Sequence, residues 1–403
     1  MKCLPASKLP QANGVAIHDW HAEILAIRAF NRFILEECRR LALQGDGASQ
    51  SEFIYRRITA QHENQGQQGT PEVWQGQPFA WREDVSLHMY CSEAPCGDAS
   101  MELIMAAQDD ASPWEVPSPT PGDLPTQAQA PTPASADGTP LPGRAYFSQL
   151  GIVRRKPSRG DAPPSLSKSC SDKLALKQVT SLLSSLTSAL VSPTNAYLSS
   201  VILPESQYSA AACSRCFSSS STDGGRMAPL LATSASAKLE DAGYAFREFR
   251  VDTTKMEFAF SRRAILFPNK SSTDTKDMAD VKETKPKKLI ASNLATSWML
   301  NGPRDGEGLV GGVLQGRKQF DLRGASLVSR RKMWTLAREI CSVMALDDDG
   351  EIKRVLGSTD LVYDEIKDGS SLLEGRRRAK EETKRVALKG WVRNTGGGKF
   401  KLE

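Results

Sequence analysis

The stretch DWHAEI, residues 19–24, opens a segment in which apolar side chains recur at helical spacing with charged side chains between them. This pattern predicts one helix over residues 21–42. His21 and Glu23 then stand two residues apart at its start and can face the same cleft. The imidazole can bind a metal ion such as Zn²⁺, and the carboxylate can move protons beside it. Alone the triplet is a weak signal, because a histidine at a helix start is more often a capping or surface residue.

A second stretch, PCGD at residues 95–98, follows a strand predicted at residues 84–90. Cys96 then lies at the start of a short helix, where the helix dipole favours a thiolate. His-x-Glu followed later by Pro-Cys is the core of the zinc deaminase signature. The common version has a second cysteine three residues further on. Here that position is Ala99, so the third ligand must come from elsewhere.

Cys170, in the stretch SCSDK, is the candidate for that third ligand because it opens a helix predicted over residues 170–191. Three protein ligands plus one open position for water is the arrangement of catalytic zinc. The usual alternative for a single cysteine is a small buried apolar residue. Cys213 and Cys216 have zinc-like spacing but no second pair nearby, so we interpret them as exposed thiols.

The composition of the chain only broadly limits its class and its partners. The chain has 403 residues, of which 39% are hydrophobic, and a formal charge of +5, which permits a polyanionic partner without requiring one. No apolar run approaches the roughly 18 residues of a membrane span, and residues 1–10 contain no secretory apolar core. Eight cysteines at irregular spacing indicate reduced thiols in an intracellular protein, with the nucleus and the cytoplasm not distinguished. We expect no membrane association, and no obligate protein partner is evident.

Predicted strands alternate with predicted helices, which favours a single α/β core interrupted by long insertions. Residues 110–143 are predicted to be a disordered insertion, and residues 217–225 and 269–287 are predicted to be loop insertions. The other predicted helices cover residues 101–107, 325–344 and 361–388. The other predicted strands cover residues 196–203, 289–298 and 309–314.

Taken together, these segments resemble the adenosine deaminase domain shared by ADAR-type RNA editases and ADAR-like tRNA adenosine deaminases. The matching stretches are residues 19–24 (DWHAEI), 95–99 (PCGDA), 169–175 (SCSDKLA), 324–326 (GAS) and 390–392 (GWV). Residues 2–10 (KCLPASKLP), 98–102 (DASME) and 172–178 (DKLALKQ) are more similar to the fungal tRNA-specific branch. No double-stranded-RNA-binding domain is evident.

The resemblance implies a cytidine-deaminase-like core sheet flanked by helices over residues 1–403. It implies hydrolytic deamination of adenosine to inosine at position 37 of an alanine tRNA. The alternatives are an ADAR-type mRNA editase, a free-nucleoside or cytidine deaminase, and a catalytically impaired RNA-binding remnant. The family domain begins before the position that Met1 matches, so we expect this sequence to be truncated and to lack the opening strand.

The resemblance also assigns residues to the site. His21, Cys96 and Cys170 match the zinc ligands, and Glu23 matches the proton shuttle. Lys2 matches a lysine that contacts substrate in the editases, whereas Ser100 replaces an arginine of the editases.

The family buries inositol hexakisphosphate, a polyanion that needs an enclosed group of Lys and Arg side chains. The positions similar to its ligands are Arg28, Lys173, Arg330, Tyr363, Lys367 and Trp391. Residues 330–332 can instead be read as a solvated helix face. Ile27 and Leu176 stand where the family has basic residues. Lys173, which lies between the zinc cysteine and the helix that this cysteine starts, is expected to link the polyphosphate to the active site.

In the editases, a loop before the third zinc ligand fills the space left by the flipped base. The comparable stretch is residues 154–164, which contains Arg154, Arg155, Lys156 and Arg159. These cations either hold RNA phosphates or form a solvated basic loop.

Overall fold

The computed structural model describes residues 2–44, 50–57, 76–107, 149–156, 165–266, 292–302, 305–344 and 350–402, and every structural statement below concerns these residues. The insertions predicted at residues 110–143 and 269–287 lie outside them, as does Arg159. Residues 218–225 are described and form a connection with turns after a helix.

Helices and strands alternate along the chain. In order, the helices are α1 (Ala22–Gln44), α2 (Met101–Ala106), α3 (Cys170–Thr180), α4 (Ser185–Leu190), α5 (Ala210–Phe217), α6 (Thr233–Asp241), α7 (Arg262–Leu266), α8 (Arg330–Val343), α9 (Glu351–Leu356), α10 (Tyr363–Gly369) and α11 (Glu374–Val386). The strands are β1 (Ile54–Arg56), β2 (Phe79–Trp81), β3 (Leu87–Tyr90), β4 (Val191–Ser192), β5 (Leu198–Pro204), β6 (Arg250–Thr254), β7 (Ala295–Ser297), β8 (Glu307–Val310) and β9 (Val313–Leu314).

The described strands form three short sheets. Strands β3, β5 and β6 are parallel to one another and lie in the order β3-β5-β6. Strand β2 pairs antiparallel with β1 and parallel with β4, and β7, β8 and β9 are antiparallel. The predicted α/β class with sheets flanked by helices is confirmed. Because parallel strands end at one edge, the segments after β3, β5 and β6 meet there.

Helix α1 joins the site to the core. Its apolar stripe buries Ile34, Leu35 and Leu41, which pack in one cluster with Trp334 of α8. Each fully buried side chain of this size stabilises the fold by about 1.5–3 kcal/mol. The second half of the helix that begins beside His21 is therefore packed firmly against the core. None of the described helices is long and apolar enough to cross a membrane.

The prediction of one helix over residues 170–191 is wrong. Helix α3 ends at Thr180, where Ser181 has a φ of 56°, and α4 begins at Ser185. The buried side chain of Asn31 stabilises the break between α3 and α4, because its Nδ2 donates to the Leu182 carbonyl at 2.9 Å. Residues 361–388 likewise divide into α10 and α11, joined by the 3₁₀ turn Ser371–Leu373.

Candidate metal centre

Three predicted ligands meet at one point although they are distant in sequence. His21 immediately precedes α1, Cys96 follows β3, and Cys170 is the first residue of α3. The Nδ1 atom of His21 lies 3.7 Å from the Sγ atom of Cys96 and 3.7 Å from that of Cys170. The backbone N–H of Cys170 also donates to the Cys96 sulfur at 3.4 Å.

The spacing of these atoms fits a tetrahedral metal ion. All three ligand atoms lie within 4.8 Å of one another. Zn–S and Zn–N bonds at a tetrahedral angle place sulfur and nitrogen about 3.6 Å apart, close to the observed separations. Two thiolates and one imidazole are ligands that zinc prefers. His21 and Cys96 are partly exposed, so one side of the group is open to a reactant.

Gly97 allows the two cysteine loops to approach each other. Its φ is 112°, and a Cβ atom there would lie 2.3 Å from Oγ of Ser169. That hydroxyl caps α3 by accepting from the N–H of Asp172 at 3.1 Å. Ser171 ties the loops together, since its Oγ donates to the Pro95 carbonyl at 2.9 Å. The start of α3 thus faces Cys96, where its N–H groups favour a thiolate.

Glu23 lies in the first turn of α1 beside this group. Burial raises the pKa of its carboxyl, and the negative charge of Cys96 raises it further. A carboxyl whose pKa is raised toward neutrality can both accept and return a proton.

A buried lysine lies behind the cysteines. The Nζ atom of Lys156 donates to Oδ2 of Asp19 and to the sulfur of Cys170, each at 2.9 Å. Burial alone would lower the pKa of this ammonium, but Asp19 and the two cysteines hold it well above its usual value. Asp19 also accepts from the backbone N–H of His21 at 3.1 Å, so the same carboxylate orients the histidine ligand.

Each of the two thiols shifts the pKa of the other. The hydrogen bond from Cys170, followed by the charges of Lys156 and His21, holds the pKa of Cys96 well below its usual value. Burial and the negative sulfur of Cys96 raise the pKa of Cys170. A metal ion binds both cysteines as thiolates. The positive charge of Lys156 favours that form.

Neither alternative predicted for Arg154 and Lys156, contact with RNA phosphates or a solvated basic loop, is correct. Both side chains are buried, because they pair inside the protein with Asp98 and Asp19. Arg155 is partly exposed. The sequence could not show this, because the partner carboxylates are more than fifty residues away.

Two arginines from a different part of the chain complete the support of the cysteine loops. Arg215 pairs with Asp98 at 2.8 Å, and Arg226 pairs with Asp172 at 2.7 Å. The expected exposure of Cys213 and Cys216 is wrong, since both are buried. Among the described residues, neither belongs to a group of three potential metal ligands.

Lys2 lies close to the histidine ligand through the backbone. The N–H of Trp20 donates to the Lys2 carbonyl at 3.0 Å, and the Lys2 ammonium donates to the Leu294 carbonyl at 3.3 Å. The side chain is partly exposed and therefore accessible to a bound molecule.

Two adjoining cavities lie beyond α3, with volumes of about 390 and 270 Å³. The six predicted polyphosphate-binding residues all line one or both: Arg28, Lys173, Arg330, Tyr363, Lys367 and Trp391. The lining also includes cations that the sequence did not single out: Lys168, Lys177, Arg376, Arg377, Lys380, Lys384 and Arg393. Asp368 and Glu381 are the acidic residues in the described lining. The solvated-face interpretation does not hold for Arg330.

We call the lysines and arginines that line these two cavities the cation cluster. Its cations outnumber the two acidic residues of the described lining. Burial, followed by neighbouring cations, holds the pKa values of Lys177 and Lys380 well below their usual range. His18 is buried, and neither ring nitrogen has a hydrogen-bond partner among the described residues. Burial, then Arg330 and Arg28, lowers its pKa. Crowded cations and a buried ring without a partner among the described residues are features that fit an anionic ligand.

Lys173 connects this cation cluster to the metal centre. It lines both cavities, and its ammonium donates to Asp19 and, at 2.7 Å, to Oγ of Ser167. Asp19 in turn contacts Lys156, which contacts Cys170. The cavity and the cysteine are therefore joined by a continuous set of hydrogen bonds.

A His-Cys-Cys group with a glutamate beside it is the arrangement that characterises one class of nucleobase deaminases. The chain belongs to the adenosine-deaminase (editase) domain family, whose pattern matches residues 1–395.

Curated relatives support the same family. The chain is 30% identical over 403 residues to tRNA-specific adenosine deaminase 1 of Schizosaccharomyces pombe, covering 99% of this chain and 82% of the relative. It is 34% identical over 188 residues to tRNA-specific adenosine deaminase 1 of Saccharomyces cerevisiae, covering 46% and 40%. It is 28% identical over 218 residues to the double-stranded RNA-specific editase Adar of Drosophila melanogaster, covering 52% and 27%.

Proposed function

We propose that this protein is a tRNA-specific adenosine deaminase that hydrolyses adenosine to inosine. Water replaces the exocyclic amine at C6 of the base, and ammonia leaves. The convergence of His21, Cys96 and Cys170 beside Glu23 carries this proposal. The names of the relatives from both yeasts support tRNA as the substrate.

Different residues would hold the metal ion, transfer protons and position the ligands. His21, Cys96 and Cys170 would hold Zn²⁺, which supplies Lewis-acid activation of water when it is bound. Glu23 accepts a proton from the attacking water and delivers a proton to the departing amine, a dual role that suits its raised pKa. Lys156 and Asp19 hold Cys170 and His21 in position. We infer that Lys2, whose side chain is partly exposed, contacts the substrate.

We assign the cation cluster to inositol hexakisphosphate. Crowded lysines line the cavity, and the charges of Arg330 and Arg28 act on the nearby buried His18, whose ring nitrogens have no hydrogen-bond partner among the described residues. Both features support a ligand with several phosphates. Apolar Ile27 and Leu176 line the same cavity, so the ligand lies against fewer charges on that wall. Binding would stabilise the fold around α3, α8 and α11 and, through Lys173, the metal centre.

For the substrate position we propose adenosine 37 of an alanine tRNA. An adenosine beside the anticodon is unpaired, so moving it out of the stack costs at most a few kcal/mol. Because this base is already unpaired, the site needs no side chains that open an RNA duplex.

The test replaces Glu23 with Gln and compares it with Glu339→Gln, an exposed glutamate on α8. Inosine formed in total tRNA is measured together with zinc content. The Glu23→Gln protein should keep about one zinc per chain and lose at least about 100-fold in rate, while the control keeps both. Unchanged activity of Glu23→Gln would refute the mechanism.

Substrate comparison separates the remaining alternatives. Activity of the wild type on duplex RNA but not on tRNA would favour an mRNA editase. Activity on free adenosine or cytidine alone would favour a nucleoside deaminase. RNA binding without deamination of any substrate would identify an impaired remnant.

A further inference from the structure

Residues 255–263, KMEFAFSRR, follow β6 at the carboxyl edge of the parallel sheet. We call this segment the aromatic ridge. Its apolar side chains are unusually exposed, with Met256 at 73%, Phe258 at 46% and Phe260 at 78% of full accessibility. The two phenyl rings contact each other edge to face, with centroids 5.7 Å apart. Contiguous exposed apolar groups of this kind mark interaction surfaces.

The ridge has a defined conformation. The N–H of Met256 donates to Oγ1 of Thr254 at 3.1 Å. The N–H of Ser261 donates to the Phe258 carbonyl at 2.8 Å, and the buried Ser261 hydroxyl accepts from the N–H of Ala264 at 3.1 Å. These bonds turn the chain so that Phe258 and Phe260 project outward. The rings are therefore presented in advance, which lowers the entropic cost of binding.

Hydrogen bonds place the ridge beside the loop that carries Cys96. The Tyr90 hydroxyl, at the end of β3, donates to the Met256 carbonyl at 3.4 Å. Ser206 donates to the carboxylate of Glu257, and the neighbouring Gln207 accepts from the N–H of Ala94 at 3.4 Å. Since β6 is two strand spacings from β3, the ridge begins about 10 Å from the strand that leads into Cys96.

The charge of the ridge is positive. Lys255, Arg262 and Arg263 are exposed, and its acid, Glu257, lies 3.6 Å from Arg263. Aromatic faces interleaved with cations are the composition of surfaces that bind single-stranded nucleic acid, where bases stack on rings and phosphates meet the cations.

We propose that the aromatic ridge stacks unpaired bases next to the target adenosine, with Phe258 and Phe260 as the stacking residues. The inference rests on the proposed RNA substrate. A base that enters the metal centre leaves neighbours in the same loop that are already unpaired. The ridge lies on one flank of that centre, where these neighbours pass, and Lys255 and Arg262 meet their phosphates.

The experiment measures the affinity of the full chain for tRNA and for an anticodon stem-loop at fixed salt. The variants are Phe260→Leu, Phe260→Tyr, Phe258→Leu and Phe258→Tyr. Leucine keeps apolar bulk without a π face, whereas tyrosine keeps the face. Leu43→Ala is the matched control, since Leu43 is exposed and about 30 Å along α1 from Glu23. Each leucine variant should weaken binding about 5- to 30-fold, and each tyrosine variant should bind like the wild type.

Turnover gives a second measurement. Stacking acts on ground state and transition state alike, so the leucine variants should raise KM with little change in kcat. A 2-aminopurine placed next to the target position should be quenched by the wild type and not by Phe260→Leu.

The outcomes separate this inference from the proposed function. If the wild type forms inosine and the leucine variants bind and turn over normally, the ridge inference is overturned and the deaminase remains. If the wild type binds tRNA without deaminating it, the binding series still decides the ridge. If it does not bind RNA, both fail. Loss of self-association or of vesicle binding in the leucine variants, with normal tRNA affinity, overturns the RNA assignment.

Discussion

The ammonium of Lys156 lies 2.9 Å from the sulfur of Cys170, in a site where both side chains are buried. A buried cation beside a cysteine favours the thiolate form that a metal ion needs. The same ammonium contacts Asp19, which holds the backbone of His21. One lysine thus supports two of the three candidate metal ligands from behind.

Replacing Lys156 with Met should reduce bound zinc well below one equivalent per chain and lower the free energy of unfolding by about 3 kcal/mol. The reason is that Asp19 and Cys170 would remain buried with less compensating charge. Zinc content by mass spectrometry and chemical denaturation measure the two effects. Lys8→Met, at an exposed lysine, should change neither. Full zinc occupancy in Lys156→Met would show that the cysteines do not depend on this cation.

Gly97→Ala should separate the two cysteine loops. The added Cβ would overlap Ser169, and the residue would also be strained at its positive φ. Gly224→Ala is the matched control, because Gly224 has a φ of 69° but no atom within 4 Å of an added Cβ. Gly224→Ala should lose about 1–2 kcal/mol of stability to backbone strain. Gly97→Ala should lose more stability and also lose zinc, because its φ of 112° and ψ of −142° belong to a region that only glycine readily adopts. Equal zinc content in the two would contradict the close approach of the loops.

Lys380→Ala should weaken the stabilisation by added inositol hexakisphosphate at least about tenfold in apparent affinity. Lys380 lines both cavities, and a charge-assisted bond to phosphate contributes about 1.5–3 kcal/mol. The readout is the rise in melting temperature with ligand concentration. Arg385→Ala, on the exposed side of α11, should behave as the wild type. Identical ligand responses in the two variants would place the polyanion elsewhere.

The polyanion should bind more tightly as pH falls. Burial and neighbouring cations lower the pKa values of Lys177, Lys367 and Lys380 in the ligand-free fold, so that fold binds fewer protons than the unfolded chain. Ligand-free stability should therefore rise with pH toward the unfolded lysine value of about 10.5. A bound polyanion favours the charged lysines, so binding takes up protons. Calorimetry in buffers of different ionisation enthalpy measures that uptake, and proton release would contradict it.

Local patterns predicted the elements that depend on neighbours in sequence. The apolar stripe of residues 21–42 corresponds to α1, and the alternation before Cys96 corresponds to β3. The break at Ser181 was missed because its cause, the side chain of Asn31, lies 151 residues from its partner Leu182. Strands β1, β2 and β6 were missed as well. Strands this short, of three to five residues, carry too little periodicity to be recognised.

The sequence by itself determined the chemistry available to this protein. Side-chain type and order identified His21, Glu23, Cys96 and Cys170, since ligand and proton-transfer chemistry belong to the residues themselves. Only the tertiary structure decided what surrounds them. It placed Lys156 behind Cys170, left the buried His18 without a hydrogen-bond partner among the described residues, and brought the aromatic ridge beside the end of β3. Burial and ion pairing depend on which distant segments meet, and no local pattern encodes that meeting.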